Sequence, residues 1–265
     1  MSEVTAHAPG RFSWVELVAN DAFQARHFFT DLFGWDVREI PMGPDSIYVI
    51  FQSGGRDVAA MYPRGPEERE GGPSHWRSYV SVASSDESAA KARDLGGRIL
   101  AEPFDVFDVG RMAMLEDPSG AALALWEPRG HPGMGRIGEP GALCWNELLT
   151  HDVEAAGPFY TGLFGWEVRE LEFGTSVYTV FETEGRAVAG MMAMPGSADA
   201  PPNWLPYFGA SDCDDRARAA QIAGGTIYVS PTDVPGVGRF AVLGDPQGAT
   251  FAILREAGWE EEPEV

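Results

Sequence analysis

Phe28 to Glu39 reads FFTDLFGWDVRE and Phe159 to Glu170 reads FYTGLFGWEVRE, identical at 9 of 12 positions. The match extends outward in register. Trp14-x-Glu16-Leu17 returns as Trp145-x-Glu147-Leu148, and Gly55-Arg56-x-Val58-Ala59 as Gly185-Arg186-x-Val188-Ala189. Val109-Gly110-Arg111 and Asp117-Pro118-x-Gly120 return as Val237-Gly238-Arg239 and Asp245-Pro246-x-Gly248. Solenoid units run about 20 to 50 residues, and this period is several times longer, so each copy is a whole domain. The expected organisation is a first domain over residues 10–129, a linker over 130–140 rich in glycine and proline, a second domain over 141–258, and an acidic tail over 259–265.

Within each copy the order of elements is itself doubled. Phe12 to Ala19 alternates as a half-buried strand does, Asn20-Asp21 can cap a helix, and Ala22, Ala25, Phe29, Leu32 and Phe33 recur at helical spacing up to Gly34. Trp35 to Ile40, Ile47 to Phe51 and Val58 to Tyr62 read as strands. The pattern restarts at Trp76 to Val82, followed by an alanine-rich helix from about Glu87 to Gly96-Gly97 and a hairpin closed by Asp117-Pro118-Ser119-Gly120. The expected fold is α+β: a tandem repeat of two domains, each made of two βαβββ modules.

Forty acidic against 19 basic residues give a net charge of -21, which disfavours nucleic acid and anionic membrane as partners. No apolar run is long enough to span a membrane and no signal pattern opens the chain, so the expected compartment is the cytoplasm. Cys144 and Cys213 fall at non-equivalent positions of the copies and read as inert thiols.

The strand-Asp-helix opening, the FYTGLFGW helix end at Phe159 to Trp166, and the DPxG hairpin before the last strand resemble the vicinal oxygen chelate superfamily of glyoxalase I, extradiol dioxygenases and bleomycin-resistance proteins. Tandem glyoxalase-like proteins of actinobacterial type are the most similar members. The resemblance implies sheets curled around a cavity, with a divalent metal held by His, Gln or Glu from the first and last strands of a module. Those positions carry Trp14 and Trp145, seven residues before Asp21 and Asp152, and Ala124 and Ala252, seven after Asp117 and Asp245. Tryptophan and alanine offer no imidazole, carboxylate or thiolate to a cation. No cofactor is therefore expected. A divalent metal on Glu16 or Glu147 plus backbone or substrate oxygens stays open as an alternative.

Period-2 alternation places Phe12, Trp14, Glu16 and Val18 on one face of the first strand and Val15, Leu17 and Ala19 on the other. The apolar set should pack under the helix, leaving Trp14 and Glu16, and likewise Trp145 and Glu147, toward the cavity. An indole there suits stacking on a flat ligand; a buried carboxylate suits hydrogen bonding or general-base work. The plainer alternative is a tryptophan filling space and a glutamate paired with Arg111 or Arg239. Arg77 and Tyr79 share the facing strand, where the second copy has Leu205 and Tyr207, and Trp126 corresponds to Leu254. The expected cavity set is thus Trp14, Glu16, Arg77, Tyr79, Trp126, Trp145, Glu147 and Tyr207.

From this follows the expectation of a metal-independent small-molecule binding protein, monomeric or homodimeric, taking a planar or apolar metabolite. The alternative is an enzyme, a glyoxalase-like lyase or isomerase or a dioxygenase-like or hydroxylase-like protein, with Glu16 or Glu147 as base or with an unusual metal site.

Overall fold

The computed structural model describes residues 4–43, 46–65, 72–173, 176–195 and 200–258; the acidic tail lies outside them. The first copy runs β1 (Phe12–Ala19), α1 (Ala22–Phe33), β2 (Asp36–Gly43), β3 (Ser46–Ser53), β4 (Arg56–Pro63), then β5 (His75–Ser81), α2 (Ser85–Asp94), β6 (Arg98–Val106), β7 (Gly110–Glu116) and β8 (Ala122–Pro128). The second repeats it as β9 (Leu143–Thr150), α3 (Val153–Phe164), β10 (Glu167–Phe173), β11 (Ser176–Thr183), β12 (Arg186–Ala193), β13 (Asn203–Gly209), α4 (Cys213–Ile222), β14 (Thr226–Val234), β15 (Gly238–Gly244) and β16 (Thr250–Glu256). Each copy is thus βαβββ twice over. Periodicity does not delimit the edge strand β6, where Ile99, Leu100 and Ala101 run consecutively and Pro103 follows, a residue edge strands tolerate.

Each copy forms one eight-stranded sheet. The orders are β2-β3-β4-β1-β5-β8-β7-β6 and β10-β11-β12-β9-β13-β16-β15-β14, so the modules of a copy meet through the antiparallel pairs β1–β5 and β9–β13. Asp21 caps α1 by accepting from the Gln24 amide, and Gly34 at φ 68 ends it.

Val15, Leu17 and Ala19 are fully buried beneath the helices, as alternation predicts. The core they enter is common to both copies. Phe29 lies 5.3 Å from Phe251 and Phe33 5.3 Å from Phe208, while α1 touches α4 and α2 touches α3. Where β5 approaches β13, the Ser78 hydroxyl donates to Asn146 Oδ1 at 2.7 Å. Each large side chain buried there contributes about 1.5–3 kcal/mol. The sheets therefore pack by their helix-bearing faces, and their other faces look outward.

One expectation about sidedness is corrected. The β1–β5 register slips between Phe12 and Trp14, so Phe12 turns into the shared core, 5.2 Å from the Trp204 ring, and leaves the Trp14 face. The segment 130–140 is packed against the first copy: Met134 is buried, its amide donates to Ser13 O, and its carbonyl is bonded by the buried His7. No helix among the described residues is long and apolar enough to cross a membrane.

Candidate functional site

The outward face of the first sheet carries a buried carboxylate ringed by phenols. Trp14 and Glu16 face Tyr79 and Arg77 across the β1–β5 pair, and Tyr79 is level with Ala124 on β8. Tyr79 donates its hydroxyl to Glu16 Oε2 at 2.6 Å. Tyr48, from β3, also bonds Glu16 and accepts from Trp14 Nε1 at 3.3 Å. Arg77 Nη1 donates to the Tyr62 hydroxyl at 3.0 Å, stands 3.8 Å from Glu16 Oε2, and lies 5.9 Å over the Tyr62 ring. Burial, then the Glu16 charge, push both Tyr79 and Tyr48 well above the ordinary phenol range, so both remain donors.

The second copy builds the same frame. Tyr207 donates to Glu147 Oε2 at 2.8 Å, Trp145 Nε1 donates to the Tyr178 hydroxyl at 2.9 Å, and Tyr178 bonds Glu147. Leu205 stands opposite Glu147 where Arg77 stands opposite Glu16, and Met192 replaces Tyr62. Gly190 replaces Ala60: a Cβ at 190 would fall 1.8 Å from the Tyr178 hydroxyl. Burial raises the Glu147 carboxyl above its usual range against the opposing bonds from Tyr207 and Tyr178.

All eight expected cavity residues lie on these outward faces, but they do not form equal hollows. In the first copy, His131 meets Trp14 edge-on at 4.7 Å and accepts, through its carbonyl, the Trp126 indole N–H, so both tryptophans close one end. Trp14 and Trp126 are 5% and 7% exposed. In the second copy, Leu205, Tyr207, Ala252 and Leu254 form an apolar cluster separate from the main core, with half-buried Trp145, Leu149, Phe240 and Val242 against it. A cleft of about 580 Å³ opens beside Trp145, walled by Arg11, Met134, Arg186 and Val188.

Neither arginine named as an alternative partner reaches the glutamates: Arg111 pairs with Asp86 and Asp105, and Arg239 with Asp214 and Asp233. His75 sits at the surface beside Arg64. The thiols have no partner in each other, and burial pushes Cys213 up to about 11. Sequence reasoning missed Tyr48 and Tyr178, although Ser46-x-Tyr48 and Ser176-x-Tyr178 recur in the two copies.

The donor set does not fit a divalent metal. Among the described residues no three His, Cys, Asp or Glu side chains converge. The lone carboxylate of each hollow already accepts from phenols, and in the first copy a guanidinium stands in the place a cation would need.

Paired βαβββ modules, twice over, with an outward hollow on each sheet, are the vicinal oxygen chelate architecture. The chain belongs to the Glyoxalase/Bleomycin resistance protein/Dioxygenase superfamily, whose model matches residues 11–125 and again 143–253. It is 38% identical over 261 residues to CFP32 of Mycobacterium bovis, provisionally named a glyoxylase, covering 97% of this chain and 99% of that one. It is 33% identical over 267 residues to the anthracycline biosynthesis protein DauV of Streptomyces sp. strain C5, covering 96% and 97%. The Mn(II)-bound glyoxalase of Novosphingobium aromaticivorans superposes with a TM-score of 0.66 at 16% identity, over 94% of this chain and 84% of that one, a likeness of fold.

Proposed function

We propose that this chain is a metal-independent binding protein for a planar, ring-bearing small molecule, seated on the outward face of a sheet. The observation that carries this reading is the Trp–Tyr–Glu–Tyr frame, built in both copies from the same strands, with its tryptophan at a position where the family resemblance calls for a metal ligand. An indole and two phenols supply flat apolar surface, and the carboxyl supplies one hydrogen-bonding group, the usual composition of a small-molecule site. The similarity to proteins named for anthracycline biosynthesis supports a fused-ring aromatic ligand. Titration with a hydroxylated anthraquinone tests it: binding should quench tryptophan emission, and Trp145→Phe should weaken it by about 0.5–1.5 kcal/mol. Unchanged affinity in a folded Trp145→Phe protein defeats this placement of the ligand.

A second reading is favoured by one observation. Glu147 is held above the ordinary carboxyl range by burial, the property a general base at neutral pH requires. Under this reading Glu147→Gln retains ligand binding and loses turnover.

A further inference from the structure

We propose that the second hollow is a site for an organic ammonium group carried on an apolar ring system, and that Arg77 is a built-in cation filling the corresponding place in the first. This rests on the hollows being ligand sites and adds the charge of the ligand.

The two hollows are one frame with one difference at its centre. In both, a glutamate on the first strand accepts from a tyrosine on the facing strand, while a second tyrosine bridges it to the indole two residues before it. In the first, that frame encloses a guanidinium, 3.8 Å from the carboxylate and stacked over a tyrosine ring. In the second, the strand partners of Glu147 are Leu205 on β13 and Gly190 on β12, and neither brings a charge. The groups that bear on its titration are the phenols of Tyr207 and Tyr178.

A buried carboxyl without a counter-ion is costly when ionised. An incoming ammonium supplies what Arg77 supplies in the other copy. The rings around it suit that role: Trp145 is half-buried beside the cleft, and Tyr207 and Phe240 stand 6.4 Å apart along the same face. A cation over such rings is attracted by their negative faces, most strongly where water is excluded. The apolar cluster of Leu205, Ala252 and Leu254 provides for the rest of the molecule.

The experiment is calorimetric titration of the full chain at pH 7 with naphthylmethylamine, uncharged naphthylmethanol and naphthoate. The amine should bind at one site per chain, about tenfold or more tighter than the alcohol, with naphthoate weakest. Leu205→Arg, which installs the first copy's cation, should abolish amine binding. Arg77→Leu should empty the first hollow of its own cation and raise the stoichiometry to two. Alcohol bound as tightly as amine overturns the ammonium assignment while leaving an aromatic site. Amine stoichiometry unchanged in a folded Arg77→Leu protein overturns the role given to Arg77, and binding of none of the three overturns both this inference and the reading it rests on.

Discussion

Phe29 meets Trp76 edge to face with ring centroids 5.1 Å apart at 83°, and the Trp76 indole N–H is buried without a partner among the described residues. Their counterparts Tyr160 and Trp204 hold the same arrangement at 5.1 Å and 82°, but there the tyrosine hydroxyl accepts the indole N–H at 2.8 Å. Tyr160 also lies against Asp117, whose counterpart Asp245 is a buried carboxyl raised in pKa by its burial. The copies thus pack one motif in two versions, and the first lacks a single oxygen.

Phe29→Tyr should therefore stabilise the protein, because it gives a buried donor an acceptor without changing ring position. The gain expected is about 1 kcal/mol, the net worth of one intramolecular hydrogen bond. Thermal or urea unfolding measures it. A lower midpoint would mean that the shared core has no room for the hydroxyl.

The turn between β11 and β12 offers a second repair by comparison. Glu184 adopts φ 52, where the first copy has Gly54 at φ 55. A side chain in the left-handed region costs about 1–2 kcal/mol, of which the greater freedom of unfolded glycine returns part. Glu184→Gly should raise stability by roughly 0.5–1 kcal/mol, read as an increased denaturation midpoint with an unchanged slope.

Glu147 ties stability to pH. Its folded pKa is raised, so the folded state holds that proton more tightly than the unfolded chain does. The resulting stabilisation is complete below the unfolded carboxyl value of about 4.3 and is lost as pH rises through the folded pKa. Glu147→Gln cannot titrate and can still accept from Tyr207. Relative to the parent, it should melt higher at pH 8, with the difference closing toward pH 4. A difference independent of pH would show that Glu147 is not the titrating group.

Gly190 tests how far the frame depends on close approach. Gly190→Ala places a methyl where the Tyr178 hydroxyl now lies, so Tyr178 must leave Trp145 and Glu147. Overpacking of this kind costs about 1–3 kcal/mol, and tryptophan emission should change as Trp145 loses its acceptor. The reciprocal Ala60→Gly should leave the Trp14–Tyr48 contact in place.

The doubling, the four βαβββ modules and the outward direction of Trp14, Glu16 and their counterparts were legible because each depends on local order: periodicity, capping by Asp21, and the Asp-Pro turns. What depends on distant register was not. Phe12 was placed on the wrong face because a slip against β5 leaves no mark in β1 alone. Tyr48 reaches Glu16 only because β3, β4 and β1 are laid side by side, an order that alternation does not reveal. The glycine and proline of the linker mark it as a connection but not what holds it down, since Met134 and His7 secure it by a contact made across 127 positions of sequence.

The back-to-back packing of the sheets has an evolutionary side. Every helix and every inward strand face contributes to one interior, so a change there in either half is felt by both, and the halves are bound to vary together. The lining of the second copy's hollow forms a cluster of its own, whereas Trp14, Tyr79 and Trp126 of the first belong to the shared interior. That second lining is the part of a duplicated chain that can drift without consulting its twin, and it is where leucine stands for the first copy's Arg77 and for its Trp126 while the surrounding frame is the same.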